Sequence, residues 1–165
     1  MSLAQTYLDS AIKRLNTYKI LGEKTFEQLE DGDFHFSPNE ESNSIAGIIQ
    51  HIGGNMLSRW TNFLTEDGEK TWRERDEEFE IHQNSKQQLL EIWDKGWACT
   101  YQALRSLSEE DLMRTITIRG EQMPAVDAIN RQLAHYPYHV GQIVYLGKIL
   151  KNQDWHNLSV PRKRR

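Results

Sequence analysis

Apolar residues at the start of the chain recur with the period of a helix rather than of a strand: Leu8, Ala11, Ile12, Leu15, Tyr18, Phe26 and Leu29 share a face. The spacing predicts a first helix over about 2–30, opened by Ser2 and Gln5, which stand at capping-box separation. Gly22 falls on the same stripe, where its missing side chain lets a neighbouring helix come close. A second helix starts near Ser42–Ser44 and presents Ile45, Ile48, Ile49, Ile52, Met56, Leu57, Trp60 and Leu64 inward, with His51 at the stripe's edge. Gly53 and Gly54 cost that helix about 1 kcal/mol each relative to alanine, so close approach by a helix or a ligand is expected there. Ser85 and Gln88 repeat the capping-box spacing before a third helix carrying Leu89, Ile92, Trp93, Gly96, Trp97, Thr100, Tyr101, Leu104 and Leu107. Pro124 suits the first turn of a fourth, with its main stripe at Val126, Ile129, Leu133, Pro137, Val140, Val144 and Gly147.

The connections are polar. Residues 31–42 carry Gly32 and Pro38, and the alternation Phe34-His35-Phe36 suggests rings tucked under the helices. Residues 65–84 are crowded with charge, Trp72 and Phe79 being the apolar anchors. This stretch is longer than a tight turn needs and reads as a solvated acidic surface crossing the end or side of a bundle. Its carboxylates lack the spacing of an acidic metal site. Thr115 to Gln122 alternates around Gly120, the pattern of a small hairpin or an extended connector. Four amphipathic helices with such connectors predict an all-α protein, a four-helix bundle with long crossover connections. It forms one domain over 1–165, in which 151–165 is a C-terminal tail able to pack Trp155, Leu158 and Val160 back.

Composition narrows the functional classes. With 38% hydrophobic and 27% charged residues, the chain is too apolar for a disordered protein. At 165 residues it buries roughly two-thirds of its unfolded surface. No apolar run spans a bilayer and no signal-peptide core follows Met1, so a cytoplasmic protein without membrane contact is expected. The lone Cys99 fits a reducing compartment and reads as a small buried hydrophobe. The net charge of −4 argues against nucleic acid as a partner, and Arg162-Lys163-Arg164-Arg165 reads as a solubilising tail.

Chemistry concentrates in helix four. Beside the main stripe runs a second, Ala128, Gln132, His135, His139, Gln142, Leu146 and Ile149, with four polar side chains where a surface helix would carry lysine and glutamate. Residues four apart share a helix face, so His135 and His139 can close on one metal ion, and His51 on helix two supplies a candidate third ligand. His35, His82 and His156 sit in connectors or the tail, His35 being the substitute should His51 point away. Neutral imidazole suits zinc, nickel, copper or iron, and three protein ligands leave a position for water or substrate. Pro137 removes one amide donor between the two histidines, which predicts a kink and a free carbonyl. Gln142, Gln132 and Asn55 are the nearby groups able to orient the rings. Neither a Ser/His/Asp order nor a phosphate-cradling glycine loop is present.

With Ser44-Ile45-Ala46-Gly47-Ile48-Ile49-Gln50-His51-Ile52-Gly53-Gly54-Asn55 on helix two and His135-Tyr136-Pro137-Tyr138-His139-Val140-Gly141-Gln142-Ile143 on helix four, the chain resembles the DinB/YfiT-like superfamily of bacterial four-helix-bundle metalloenzymes. The closing Leu158-Ser159-Val160-Pro161-Arg162 looks like the end of one of its subfamilies without assigned function. The resemblance implies metal ligation by His51, His135 and His139, and homodimerisation through bundle faces. It also implies kinship with bacillithiol-dependent S-transferases and mycothiol-dependent maleylpyruvate isomerases. The expectation is a low-molecular-weight-thiol S-transferase acting on small electrophiles, with zinc or nickel bound and Gln142 and Asn55 orienting ligands. The competing expectation is a non-catalytic metal-binding or stress-related dimeric interaction protein, using Ala134, Tyr138, Gly141 and Tyr145 on helix four as its interface.

Overall fold

The computed structural model describes residues 2–80 and 83–160. Four helices account for most of it: α1 (Leu3–Phe26), α2 (Ile45–Trp60), α3 (Lys86–Ser106) and α4 (Ala125–Lys151). A two-stranded antiparallel hairpin, β1 (Thr115–Ile118) and β2 (Glu121–Pro124), leads into α4. The expected bundle is present, with α2 packed chiefly on α3 and α1 on α4. Among the described residues no helix is long and apolar enough to cross a membrane.

The helix ends follow their caps. Ser44 accepts the Gly47 amide hydrogen to start α2, and Ser85 and Gln88 form the reciprocal box that starts α3. Ser2 accepts from the Gln5 amide, but the Gln5 side chain turns to Asp9 instead of closing the box. α1 stops at Phe26, short of the predicted end, because Leu29 and Phe34 are buried by a short 3₁₀ turn (Asp31–His35) folded under the bundle. Arg119 and Gly120 both take positive φ in the hairpin turn, as the type I′ form of a two-residue hairpin loop requires.

The largest departure from the sequence pattern is α2, which is not amphipathic in its surroundings. Every residue except Gly54 and Leu57 is buried, including Gln50, His51, Asn55, Ser58 and Arg59. The reason is the charged connector after it, which crosses over α2 with Gly68 and Lys70 buried while Glu66, Glu74, Arg75, Asp76, Glu77 and Glu80 form the expected solvated face. The Ser58 hydroxyl donates to the Gly68 carbonyl (2.9 Å) and accepts from the Lys70 amide (2.9 Å). Asp67 accepts amide hydrogens of Glu69, Arg119 and Gly120, fastening the connector to the hairpin tip. Of its two expected anchors, Phe79 packs inward, whereas Trp72 is 57% exposed and anchors nothing.

Glycines permit this tight stacking. A side chain at Gly53 would strike Ile92 of α3, and one at Gly54 would strike the Glu78 carboxyl group. Gly22 likewise faces the Trp93 ring, as its place on the α1 stripe suggested. On α4 the buried face is Ala125, Ala128, Ile129, Gln132, Tyr136, His139, Val140, Ile143, Leu146 and Gly147. It lies rotated from the predicted main stripe toward the polar one, because the 3.6-residue period drifts against a regular heptad over so long a helix. α4 continues through Pro137 without interruption. After it, Trp155 packs on Gly147, Leu158 is half-buried and Val160 is exposed.

Candidate metal centre

α4 brings His135 and His139 together by helical spacing, with their Nε2 atoms 3.1 Å apart. α2 delivers His51 to the same point from across the core: its ring centroid lies 5.5 Å from that of His135 and 5.0 Å from that of His139. One ligand atom from each ring falls within 4.8 Å of the others, so the three are positioned close enough to hold a metal ion. His35 is not part of the cluster: it is exposed and its Nε2 meets the Asn84 carbonyl. His156 is exposed in the tail, and His82 lies outside the described residues.

Each imidazole is held by a second group on its other nitrogen. His139 Nδ1 donates to Gln142 Oε1 (2.8 Å), as the sequence spacing suggested, and His135 Nδ1 donates to Gln132 Oε1 (3.3 Å). His51 Nδ1 donates to Glu78 Oε2 (3.0 Å). An acceptor on every Nδ1 places the proton there in the neutral ring and leaves every Nε2 as a bare lone pair. The two lone pairs 3.1 Å apart on α4 repel one another unless a cation lies between them. The donor set therefore fits a divalent metal: nitrogens about 2.0–2.1 Å from zinc in tetrahedral array stand roughly 3.3 Å from each other.

Burial favours the uncharged form of the two α4 rings. Burial pushes the His135 pKa down to about 3, with the neighbouring His139 and His51 adding to it. Burial also lowers His139, although its bond to Gln142 works the other way. Glu78 behaves oppositely. Burial alone would raise its pKa, but the bonds to His51 and Arg73 outweigh that and hold it ionised.

The sequence reasoning missed Glu78. It comes from the connector, where a dense run of charge resembles any solvated surface. Arg73 grips it through a two-pronged pair, Nε to Oε1 at 2.7 Å and Nη2 to Oε2 at 2.8 Å, and this buried pair is what carries a carboxylate to the cluster. The Gln50 amide donates to the Glu78 carbonyl (2.9 Å), and Phe79 stacks on the His51 ring with centroids 4.8 Å apart. The sequence signals that pointed there were the Gly53-Gly54 pair and the apolar Phe79. Asn55 does not reach a histidine; its Oδ1 accepts from the Tyr136 hydroxyl (3.2 Å), which in turn accepts from Trp60 Nε1 (3.0 Å).

Fold and site together define a helical bundle whose core encloses a three-histidine cluster. The chain belongs to the family described as a protein of unknown function, DUF1572, whose model matches residues 2–164. No curated protein matches the chain.

Proposed function

We propose that the chain is a divalent-metal-dependent enzyme that transfers a low-molecular-weight thiol to a small electrophile, with zinc or nickel held by His51, His135 and His139. The observation that carries this reading is a cavity of about 250 Å³ lined by His51, Asn55 and His135. A structural metal site is closed by four protein ligands, whereas three ligands beside a cavity leave a position for a reacting molecule. Kinship with the DinB/YfiT-like superfamily, drawn from the histidine motifs, supports thiol chemistry in particular.

When bound, the metal supplies one thing: it lowers the pKa of a thiol or water, so that a nucleophile exists at neutral pH. The chain's own residues do the rest. Glu78 and Gln142 fix the tautomers and ring directions of His51 and His139, and Phe79 shields His51 from water. Asn55, fixed through its oxygen by Tyr136, keeps its amide N–H groups to orient a ligand at the cavity wall. The transfer forms one carbon–sulfur bond, the thiol gives up its proton to solvent, and the leaving group departs as an anion with the electron pair of the carbon bond that breaks. The test is consumption of bacillithiol with an aryl halide by protein reconstituted with zinc or nickel. Turnover that disappears in His51→Ala is expected; turnover that survives loss of all three histidines contradicts the reading.

A second reading rests on Tyr138 and Tyr145, which are 61% and 66% exposed on the outer face of α4 together with Ala134 and Gly141. On that reading the face forms a homodimer and the cluster is a non-catalytic metal site. Metal binding without turnover, in a dimer that Tyr138→Ser dissociates, would favour it.

A further inference from the structure

The cavity beside the histidines has a wall whose charge does not balance. Arg59 of α2, Arg73 and Arg75 of the connector, Arg119 of the hairpin and Arg131 of α4 all line it. Among the described residues, direct ion pairs reach these five guanidinium groups from two carboxylates, and Asp67 acts on Arg59 only through its field. Glu78 is taken by Arg73, and Glu69 lies 3.3 Å from Arg73 and 3.2 Å from Arg119. Arg59 is buried with little compensation: it is 2% exposed, its Nε and Nη1 have no hydrogen-bond partner, and its Nη2 is 3.9 Å from Glu69, beyond hydrogen-bond reach. Arg131 is exposed at the rim and makes no hydrogen bond or ion pair among the described residues.

A buried guanidinium cannot shed its proton to relieve the cost of desolvation, so the cost persists until an acceptor with negative charge meets it. Its planar array of donors suits the oxygens of a carboxylate or phosphate. The volume, about 250 Å³, falls below the range usual for drug-sized ligands and fits a metabolite of few heavy atoms rather than a nucleotide or a peptide.

We propose that this cavity binds an oxyanion group, carboxylate or phosphate, of a small acidic substrate, with Arg59 at its buried wall and Arg131 at its rim. The assignment rests on reading the histidine cluster as the reacting centre, and it makes one of the two co-substrates an acid. Arg73 has a different part, since its donors are committed to Glu78 and Glu69.

The test is a calorimetric titration of chelator-treated, metal-free protein with succinate, with succinamide and with inorganic phosphate. Binding of one oxyanion per chain, with none of the uncharged diamide, is expected. Loss of charge-assisted hydrogen bonds predicts affinity weakened roughly tenfold or more in Arg131→Ala and in Arg59→Met. Tighter succinate assigns the group to a carboxylic acid, and tighter phosphate to a phosphate ester. Should Arg59→Met fail to fold, the exposed Arg131→Ala and the charge-keeping Arg59→Lys carry the measurement. No binding of either anion, binding only after metal is added, or affinity unchanged in the arginine variants overturns the proposal. Because the titration contains no metal, its outcome stands apart from that of the metal and turnover measurements.

Discussion

The two halves of the histidine cluster are built by different means. On α4, His135 and His139 are oriented by Gln132 and Gln142, neutral amides three residues away on the same helix. On α2, His51 is oriented by a carboxylate 27 residues distant in sequence, itself buried and gripped by Arg73. The α4 half exists wherever the helix exists. The α2 half exists only when the connector has closed over the bundle. One site thus couples a local, rigid ligand pair to a ligand whose aim depends on tertiary structure. A charge-assisted bond to Glu78 also makes His51 Nε2 a stronger electron donor than the amide-held rings can be.

The severest break of this contrast is Glu78→Ala. It leaves the Arg73 guanidinium, whose side chain is 2% exposed, without its main partner. Removing one member of a buried ion pair costs about 3–5 kcal/mol, so denaturant unfolding should show a loss of that order. A loss below about 1 kcal/mol would mean that the pair is effectively solvated.

Gly54→Ala sharpens the same point without touching a charge. The new methyl group would press on the Glu78 carboxyl group and push it from His51. Overpacking of this kind costs about 1–3 kcal/mol, with weaker metal retention as the distinguishing readout in a competition assay. Smaller still is the effect of Gln142→Ala on the α4 half. A neutral hydrogen bond is worth about 1 kcal/mol, so metal affinity should fall by no more than about tenfold and stability should hardly move. If Gln142→Ala proves as damaging as Glu78→Ala, the contrast between the two halves fails.

The same division decides what could be read from the chain. The helices, the caps at Ser44 and Ser85, the hairpin and the His135–His139 pair all depend on near neighbours, and their spacing announces them. His51 was legible because a histidine on an otherwise apolar helix has little reason to be there. Glu78, Arg73 and Arg59 were not, since a charged residue reads as solvated until its partner is known, and here the partners come from distant segments. Trp72 misled in the opposite direction, a large ring that the fold leaves in solvent. The extent of burial of α2 was hidden for the same reason: its covering layer is made of charged sequence.

Whether His51, His135 and His139 hold one divalent metal is decided by metal analysis of the purified chain after reconstitution with zinc or nickel. One ion per chain is expected, retained through desalting by the unsubstituted protein and lost in His51→Ala and in His135→Ala. No stoichiometric metal in the unsubstituted protein, or the same content in both variants, would contradict that ligation.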